Sequence, residues 1–204
     1  MSNITKRMYA WYSILCIAMV VLDQVTKHYI VKTIILHRQK TIIKGFFSLY
    51  YTQNTGSAFS FLADKSWGIY VLSAISLVMA VLILFLMLKA IKLELYLIAA
   101  SMALLVSGAA GNLIDRFRLH YVVDFISFTF GSYNFAIFNV ADIFAVCGTI
   151  LLIAIIIFDS KKFDVLLDNI GPKKDKGEGT KVEATPAPET EEATSDDKKE
   201  EENA

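Results

Sequence analysis

The sequence predicts an all-α membrane protein: a bundle of four transmembrane helices with a small β-rich cradle outside the bilayer and a disordered C-terminal tail. Three observations support this fold class. Hydrophobic residues make up 55% of the 204 residues, more than soluble domains usually contain. Four apolar runs reach the roughly 17–25 residues that a helix needs to span the hydrocarbon core. The stretch 171–204, in contrast, has almost no large apolar side chains.

The four apolar runs account for the predicted bundle. They lie at residues 9–29, 68–88, 95–114 and 136–158. A secretory signal peptide is the alternative for the first run, because basic residues precede it. No small-residue cleavage motif follows, however, and the run continues through Asp23 and Lys27. We therefore expect the first run to be a retained transmembrane helix.

The first loop and the third run carry further structural signals. The loop at residues 32–67 is rich in β-branched and aromatic residues, with turn signals at Gly45 and in "QNTG". This pattern predicts a small sheet at the membrane boundary. In the third run, small residues recur every four positions and predict a ridge that a neighbouring helix can approach closely. They are Ala99, Ala103, Ser107 and Gly111.

The chain divides by charge into a membrane unit, residues 1–170, and an acidic tail, residues 171–204. The tail holds 11 acidic and 6 basic residues, whereas the remainder holds 9 and 14. Because the tail has so little apolar surface to bury, it cannot offset the entropy lost on ordering. We expect it to be disordered, with a regulatory docking segment as the alternative.

The cysteines and histidines give no sign of a metal or disulfide protein. Cys16 and Cys147 each lie inside an apolar run and are interpreted as packing residues. The three histidines, at positions 28, 37 and 120, lack the i, i+4 spacing of a helical zinc site. We therefore expect no metal, no cofactor and no nucleic-acid partner.

The polar residues of the apolar runs gather at one end of the predicted bundle. Four crossings place both termini on one side of the membrane, and the first and third loops on the other. The candidate residues all lie toward that loop side, whereas the rest of the spans carries no charge. They are Asp23, Lys27, Asn54, Asn112, Asp115, Arg116, Asp124, Asn139 and Asp142.

Asp142 is the most informative of these residues. A charged side chain at the centre of a spanning helix costs about 2.5–3.5 kcal/mol, and the cost falls toward the interface. Asn139 shares its helical face, and Asn112 and Arg116 share a face of the preceding helix. Asp124 lies in "YVVDFISF", which we interpret as backbone dipping back to the membrane boundary. Asp124 and Asp142 are therefore expected to converge among amide and guanidinium donors.

Two carboxylates in a partly dry site have a well-defined chemical use. They cannot both ionise, so one proton is shared and their apparent pKa values separate. One carboxylate then takes a proton from water while the other donates to a carbonyl oxygen. This arrangement predicts hydrolysis without a cysteine, a serine–histidine pair or a metal.

Each residue taken alone also has a simpler interpretation. Asp23 and Lys27 form an i, i+4 pair of a kind that is commonly structural. Asp115 and Arg116 follow at the end of a helix, where an arginine is electrostatically favourable. Asn54 in "QNTG" is a typical turn former. The functional hypothesis depends on their occurring together.

Five sequence blocks, in this order, give the chain a resemblance to a known family. They are "LDQVTK", "NTGSAFSFL", "SGAAGNLIDRF", "YVVDFISF" and "FNVADIFAVCG", and they cover most of residues 23–148. The chain resembles bacterial lipoprotein signal peptidase, also called signal peptidase II, an aspartic endopeptidase of the inner membrane. The resemblance implies that Asp124 and Asp142 are catalytic and that Asp23 and Lys27 give structural support. It also implies residues that bind substrate or support the site, namely Asn54, Gly108, Asn112, Arg116 and Asn139.

The resemblance further implies a substrate and a location. The expected substrates are diacylglyceryl-modified prolipoproteins, cut on the amino-terminal side of the lipidated cysteine, with membrane lipids around them and globomycin-type inhibitors in the same site. The expected location is the bacterial inner membrane, with four spans, cytoplasmic termini, a periplasmic cradle and an active site near the periplasmic leaflet. We expect a monomer.

Two other classes of function remain as alternatives. Intramembrane Asp, Arg and Asn residues also mark ion or proton pathways, which favours a small coupled transporter. A transport path needs polar groups through the depth of the bilayer, whereas the second and third runs are uncharged up to their ends. The other alternative, a structural or assembly subunit, predicts that Asp142→Asn leaves function intact.

Overall fold

A computed structural model describes residues 2–56 and 67–170. Its long helices correspond to the four predicted spans. They are α1 (Asn3–Thr33), α2 (Gly68–Lys92), α3 (Tyr96–Leu119) and α4 (Val140–Phe158), and a short helix α5 (Ser160–Asp168) follows. The predicted disorder of residues 171–204 lies outside the described residues, as does the part of the first loop at residues 57–66.

The four long helices have the length and composition to cross a bilayer, which confirms the predicted number of spans. The 31 residues of α1 measure roughly 46 Å at 1.5 Å per residue, so this helix extends beyond a 30 Å hydrocarbon core. Large apolar side chains are exposed on the outer helix surfaces, including Ile17 at 64%, Val78 at 66% and Ile157 at 67%. Such surfaces are stable against lipid and costly against water.

Helix α3 is the centre of the bundle, because it packs against α1, α2 and α4. All four residues of the predicted small-residue ridge, from Ala99 to Gly111, are buried. Gly108 lies beside that ridge, and a Cβ at this position would come 2.5 Å from the Ala141 carbonyl oxygen. The absence of side-chain atoms on this face lets α4 approach α3 closely, at the level where the predicted site residues lie.

A four-stranded antiparallel sheet with the order β1-β2-β3-β4 covers one end of the bundle. The first loop supplies β1 (Gln39–Ile43) and β2 (Phe47–Asn54), as its composition predicts. The third loop supplies β3 (Val122–Phe130) and β4 (Tyr133–Asn134), which the sequence analysis did not predict. Because β2 pairs with β3, the first and third loops lie at the same end of the bundle, as the parity of four crossings requires.

Seven of the eight residues of "YVVDFISF" therefore belong to strand β3, and the interpretation of this segment as backbone dipping back to the membrane boundary stays a prediction. Residues 122–125 are buried on both faces of the sheet. A buried strand of this kind appears in the sequence as a continuous apolar run, which periodicity alone does not distinguish from other buried segments.

The interpretation of both cysteines as packing residues is only half right, because Cys16 is partly buried but Cys147 is exposed.

Candidate active site

Asp124 is held in the middle of β3, where only 3% of its surface is exposed. It pairs with Thr52 of β2, just beyond an irregularity in the register after Leu49. The strand end of β2 then brings Asn54 alongside, and its Nδ2 donates to Asp124 Oδ2 at 3.0 Å. Asn54 Oδ1 also accepts from the backbone N–H of Gly56 at 3.0 Å, so the turn former and the site residue are the same side chain.

Asp142 lies in the first turn of α4, within a capping box. Asn139 is the N-cap residue, and its Oδ1 accepts from the Asp142 N–H at 3.0 Å. Asp142 Oδ2 accepts in return from the Asn139 N–H at 3.0 Å. Reciprocal capping satisfies helix N–H groups that would otherwise lack partners, and a carboxylate is favourable at this end of the helix dipole. The first turn of α4 therefore stabilises the carboxylate of Asp142, which is unusual in an apolar run.

Two asparagine amides connect the two aspartates. Asn139 Nδ2 donates to Asp124 Oδ1 at 2.7 Å and to Asn112 Oδ1 at 3.0 Å. Asn112 Nδ2 donates to Asp142 Oδ1 at 2.7 Å. All four carboxylate oxygens thus accept a hydrogen bond from an N–H group. The structure brings Asp124 and Asp142 into one network, as the sequence analysis predicts, through residues of β2, β3, α3 and α4.

The network borders a pocket of about 360 Å³. Both aspartates line it, together with the polar side chains of Asn54, Asn112 and Arg116. The remaining lining is apolar and consists of residues 135–138, Val122, Ala145 and Val146. A pocket that combines polar and apolar lining suits a peptide bond that has apolar groups on either side.

Arg116 has a guanidinium N–H group without a partner among residues 2–56 and 67–170. Its Nη1 lies 3.4 Å from Ser76 Oγ, at the long end of hydrogen-bond distances. Its Nε is buried and has no hydrogen-bond partner within the part of the chain that the structure describes. An unpaired buried N–H is costly, so this group is available to a carbonyl oxygen of a bound ligand.

The environment of Asp124 favours its protonated form. Burial, and to a smaller extent the charge of Asp142, raise the pKa of this carboxyl from 3.8, and the net value of all contributions is about 6. The hydrogen bonds from Asn54 and Asn139 and the positive charge of Lys27 act in the opposite direction and lower this pKa. The balance leaves Asp124 able to exchange a proton near neutral pH, which proton transfer in a hydrolytic reaction requires.

Behind the pocket lies a buried ion cluster of Asp23, Lys27 and Asp115. Lys27 Nζ is 2.9 Å from Asp23 Oδ2 and 3.0 Å from Asp115 Oδ2. Lys27 also donates to Asn112 Oδ1 at 2.9 Å, so the cluster touches the network directly. Asp23 and Lys27 do form the predicted i, i+4 pair, but the pair is buried and connected to the site.

Two contributions to this region were not predicted. Gln24 Nε2 donates to the Gly111 carbonyl at 3.1 Å and to Asp115 Oδ1 at 3.0 Å, joining α1 to α3. The uncharged amide of Gln24 gives little indication in the sequence of a contact with α3. Its position next to Asp23 was the one feature that pointed to the site. Of the apolar lining residues, 136–138 were assigned to the start of the fourth span.

Gly108 is not among the residues that line the pocket, and its lack of a side chain allows the close approach of α4 to α3.

No group of three or more His, Cys, Asp or Glu side chains within residues 2–56 and 67–170 is arranged to hold a metal ion. The carboxylates of the site instead have amide and ammonium donors as neighbours.

Comparison with known proteins assigns the chain to a family. The family described as "Signal peptidase (SPase) II" matches residues 15–158. The chain belongs to the signal peptidase II family. The lipoprotein signal peptidase of Clostridium tetani is 39% identical over 139 residues, covering 68% of this chain and 86% of the relative. That of Geobacter sulfurreducens is 39% identical over 150 residues, covering 74% and 92%.

A solved structure with the same fold also matches this member of the signal peptidase II family. It is titled "Bacterial membrane enzyme structure by the in meso method at 1.9 A resolution" and aligns with a TM-score of 0.62 at 30% sequence identity. The alignment covers 74% of this chain and 94% of that one. The resemblance drawn from the five sequence blocks is confirmed, and the chain is a multi-pass membrane protein of a protease family.

Proposed function

We propose that the chain is a membrane aspartic endopeptidase that removes the signal peptide from diacylglyceryl-modified prolipoproteins, cutting on the amino-terminal side of the lipidated cysteine. The observation that carries this proposal is the amide bridge between Asp124 and Asp142 at the edge of a pocket, in a chain whose relatives are lipoprotein signal peptidases. Neither the bridge nor the pocket requires a metal or a nucleophilic side chain.

The proposed chemistry uses one shared proton. The ionised carboxylate takes a proton from a water molecule, and the water oxygen bonds to the scissile carbonyl carbon. The protonated carboxyl donates its proton to the carbonyl oxygen, which gives a neutral tetrahedral intermediate. When the carbonyl re-forms, its hydroxyl proton returns to the second carboxylate. The C–N bond breaks, and the proton taken from water passes to the leaving amine, so the dyad returns to its one-proton state.

The other polar residues of the pocket have positioning roles in this proposal. Asn54 and Asn139 hold Asp124, and Asn112 holds Asp142, each through a side-chain N–H. Arg116 offers its free Nε–H to a backbone carbonyl of the substrate. Such fixed donors cost little reorganisation during the reaction, because folding has already ordered them.

The position of the pocket supports the proposed substrate and location. The pocket lies where the sheet meets the ends of α3 and α4, so acyl chains on a substrate cysteine can stay in lipid while the scissile bond reaches the interface. We propose the bacterial inner membrane, cytoplasmic termini, a periplasmic sheet and a site near the periplasmic leaflet. This orientation follows the family resemblance, because the positive-inside rule decides little here. Basic residues lie at both ends of the bundle: Lys6, Arg7, Lys89, Lys92, Lys161 and Lys162 at one end, and Lys32, Arg38, Lys40 and Lys44 at the other.

We also propose how the chain is organised. Residues 1–170, including the loop at residues 32–67, form the peptidase unit, which acts as a monomer and binds globomycin-type inhibitors at the same pocket. Residues 171–204 are not part of this unit. All the site contacts and pocket-lining residues described above lie within residues 23–146, so removal of the tail should leave turnover unchanged.

A transporter is disfavoured by the placement of polar groups. The networked side chains lie near the sheet, whereas the core cluster at the other end of α3 consists of apolar residues such as Met87, Ile91 and Ile98. A conduction path would need polar groups along the whole depth of the bundle.

The proposal is tested with purified full-length protein in lipid nanodiscs and a diacylglyceryl-modified prolipopeptide. We expect Asp124→Asn and Asp142→Asn each to reduce signal-peptide release by about 10²-fold or more, the usual size of a proton-transfer contribution. The control is Asp159→Asn, which removes an exposed aspartate paired with Lys162 and should retain full activity. Near-normal turnover by either folded site variant, or equal cleavage of an unlipidated peptide, contradicts the proposal.

A further inference from the structure

The ion cluster behind the pocket is unusually well buried for charged groups. Asp23 has 0% of its surface exposed, and Lys27 and Asp115 have 2% each. Two carboxylates meet one ammonium group, so the cluster carries a formal excess of negative charge. Removing three charges from water is expensive, and well-packed apolar side chains often replace such clusters without loss of stability. The position of the cluster relative to the pocket suggests a role beyond stability.

Asp115 holds the backbone next to one site aspartate. Its Oδ2 accepts from the backbone N–H of Val123 at 3.1 Å. Val123 immediately precedes Asp124, and both residues are almost fully buried in β3. The hydrogen bond therefore holds the backbone of β3 at a defined position relative to α3. It does so independently of the side-chain contacts of Asp124 itself.

Asp23 holds the backbone next to the other site aspartate. Its Oδ1 accepts from the backbone N–H of Ala141, the residue before Asp142, at 2.8 Å. Lys27 joins the two acids and donates to the oxygen of Asn112, whose amide nitrogen donates to Asp142. The positive charge of Lys27, which lies next to the amide oxygen of Asn112, polarises this amide and strengthens its N–H as a hydrogen-bond donor.

We propose that Asp23, Lys27 and Asp115 are positioning residues that set the distance and relative orientation of Asp124 and Asp142. Each acid binds the backbone N–H of the residue that precedes one site aspartate, and Lys27 binds both acids. Asp124 lies on a strand and Asp142 on a helix, and both are thus connected to the same residue of α1, Lys27. The inference rests on the proposed peptidase function and deepens it by assigning the cluster a role in turnover.

The charge of the cluster gives an observable effect on the dyad. Asp124 faces charged groups from three helices, and its neighbouring strand β2 contributes the uncharged amide of Asn54. The charged groups are Lys27 from α1, Arg116 with the nearby Asp115 from α3, and Asp142 from α4. Removing a positive charge favours the protonated carboxyl, and removing a negative charge disfavours it.

The experiment compares Lys27→Met and Asp115→Asn in the full-length protein, with kcat and KM measured across pH on the lipidated prolipopeptide. Both variants should lower kcat by about 10²-fold with KM within about threefold, because misplacement of reacting groups by about 1 Å costs this much. The pH at which activity is lost on the alkaline side should move upward in Lys27→Met and downward in Asp115→Asn. A cluster that only supports folding would change the amount of active protein and leave this pH and kcat per active site unchanged.

Two controls keep the outcomes distinct. Lys162→Met removes a lysine from an exposed pair with Asp159 and should change neither kcat nor the pH profile. If Lys27→Met does not fold, Asp115→Asn decides alone, because it keeps the side-chain volume but removes the negative charge that pairs with Lys27. Wild-type kcat and pH profile in a folded Asp115→Asn overturn the positioning role. Loss of the proposed function itself would appear differently, as cleavage that survives Asp124→Asn.

Discussion

Gly108→Ala is predicted to lower both stability and turnover, because it forces α4 away from α3. The new Cβ would lie 2.5 Å from the Ala141 carbonyl oxygen and 2.9 Å from the Ala145 nitrogen. Ordinary contacts begin near 3.4 Å, so the first of these falls short by about 0.9 Å. Both atoms belong to the backbone of α4, so no side-chain rotation relieves the overlap, and the helices must separate.

The expected magnitudes follow from this overlap. Overpacking costs about 1–3 kcal/mol, and a clash with backbone belongs at the upper end. Replacing a glycine inside a helix by alanine returns about 1 kcal/mol, so the net loss of stability is about 2 kcal/mol. Ala141 directly precedes Asp142, so a shift approaching 1 Å at this point displaces the carboxylate and should lower kcat by about 10²-fold.

The assay pairs thermal unfolding in detergent with single-turnover cleavage of the lipidated prolipopeptide in nanodiscs. Gly148→Ala is the matched control, because its Cβ would lie 2.9 Å from both Leu105 Cγ and Ser101 O in the same helix interface. It is six residues beyond Asp142, about 9 Å along the helix axis. We expect a loss of stability with kcat within about threefold of wild type. Equal loss of kcat in the two variants, or wild-type behaviour of Gly108→Ala, refutes the reasoning.

Three further predictions concern the two carboxyls and their bridge. Because the pKa of Asp124 is raised to about 6, kcat/KM should fall as pH rises above about 6 and the dyad loses its last proton; a flat profile from pH 5 to 8 contradicts this. The folded state binds this proton more tightly than the unfolded state, so the stability of wild type should fall, relative to Asp124→Asn, by about 2 kcal/mol between pH 4 and 7. Chemical denaturation of both proteins at the two pH values measures this difference, and a constant difference speaks against the raised pKa. Asn139→Ser keeps a side-chain oxygen for the α4 N-cap but removes the N–H that bridges Asn112 and Asp124, so stability should change by less than about 1 kcal/mol while kcat falls about 10²-fold. Parallel loss of both quantities would show that Asn139 matters mainly as a cap.

The sequence predicted the features that depend on composition and spacing along a single element. Apolar runs of sufficient length identify spans because the bilayer sets a minimum helix length. The ridge from Ala99 to Gly111 was visible because small residues recur at helical spacing. Asp142 was informative because a carboxylate is rare in an apolar run.

The remaining features depend on contacts between distant elements. The register of β2 against β3 was not visible in the sequence, and that register places Asn54 within hydrogen-bond distance of Asp124. Asp115 was visible as a helix-end acid, but nothing local shows that it accepts from Val123 in the sheet. The short helix α5 was missed because a single amphipathic segment of nine residues is below the length at which periodicity is decisive.

The pairing of β2 with β3 constrains how the enzyme is made. Phe47 and Phe128 are partners in the sheet, although 81 positions separate them. A ribosome delivers the first of these segments long before the second, and two membrane crossings lie between them. The sheet therefore closes late in biogenesis, and Asp142 is synthesised later still. Under the proposed mechanism, a nascent chain lacks half of its carboxyl pair until the fourth helix has been synthesised.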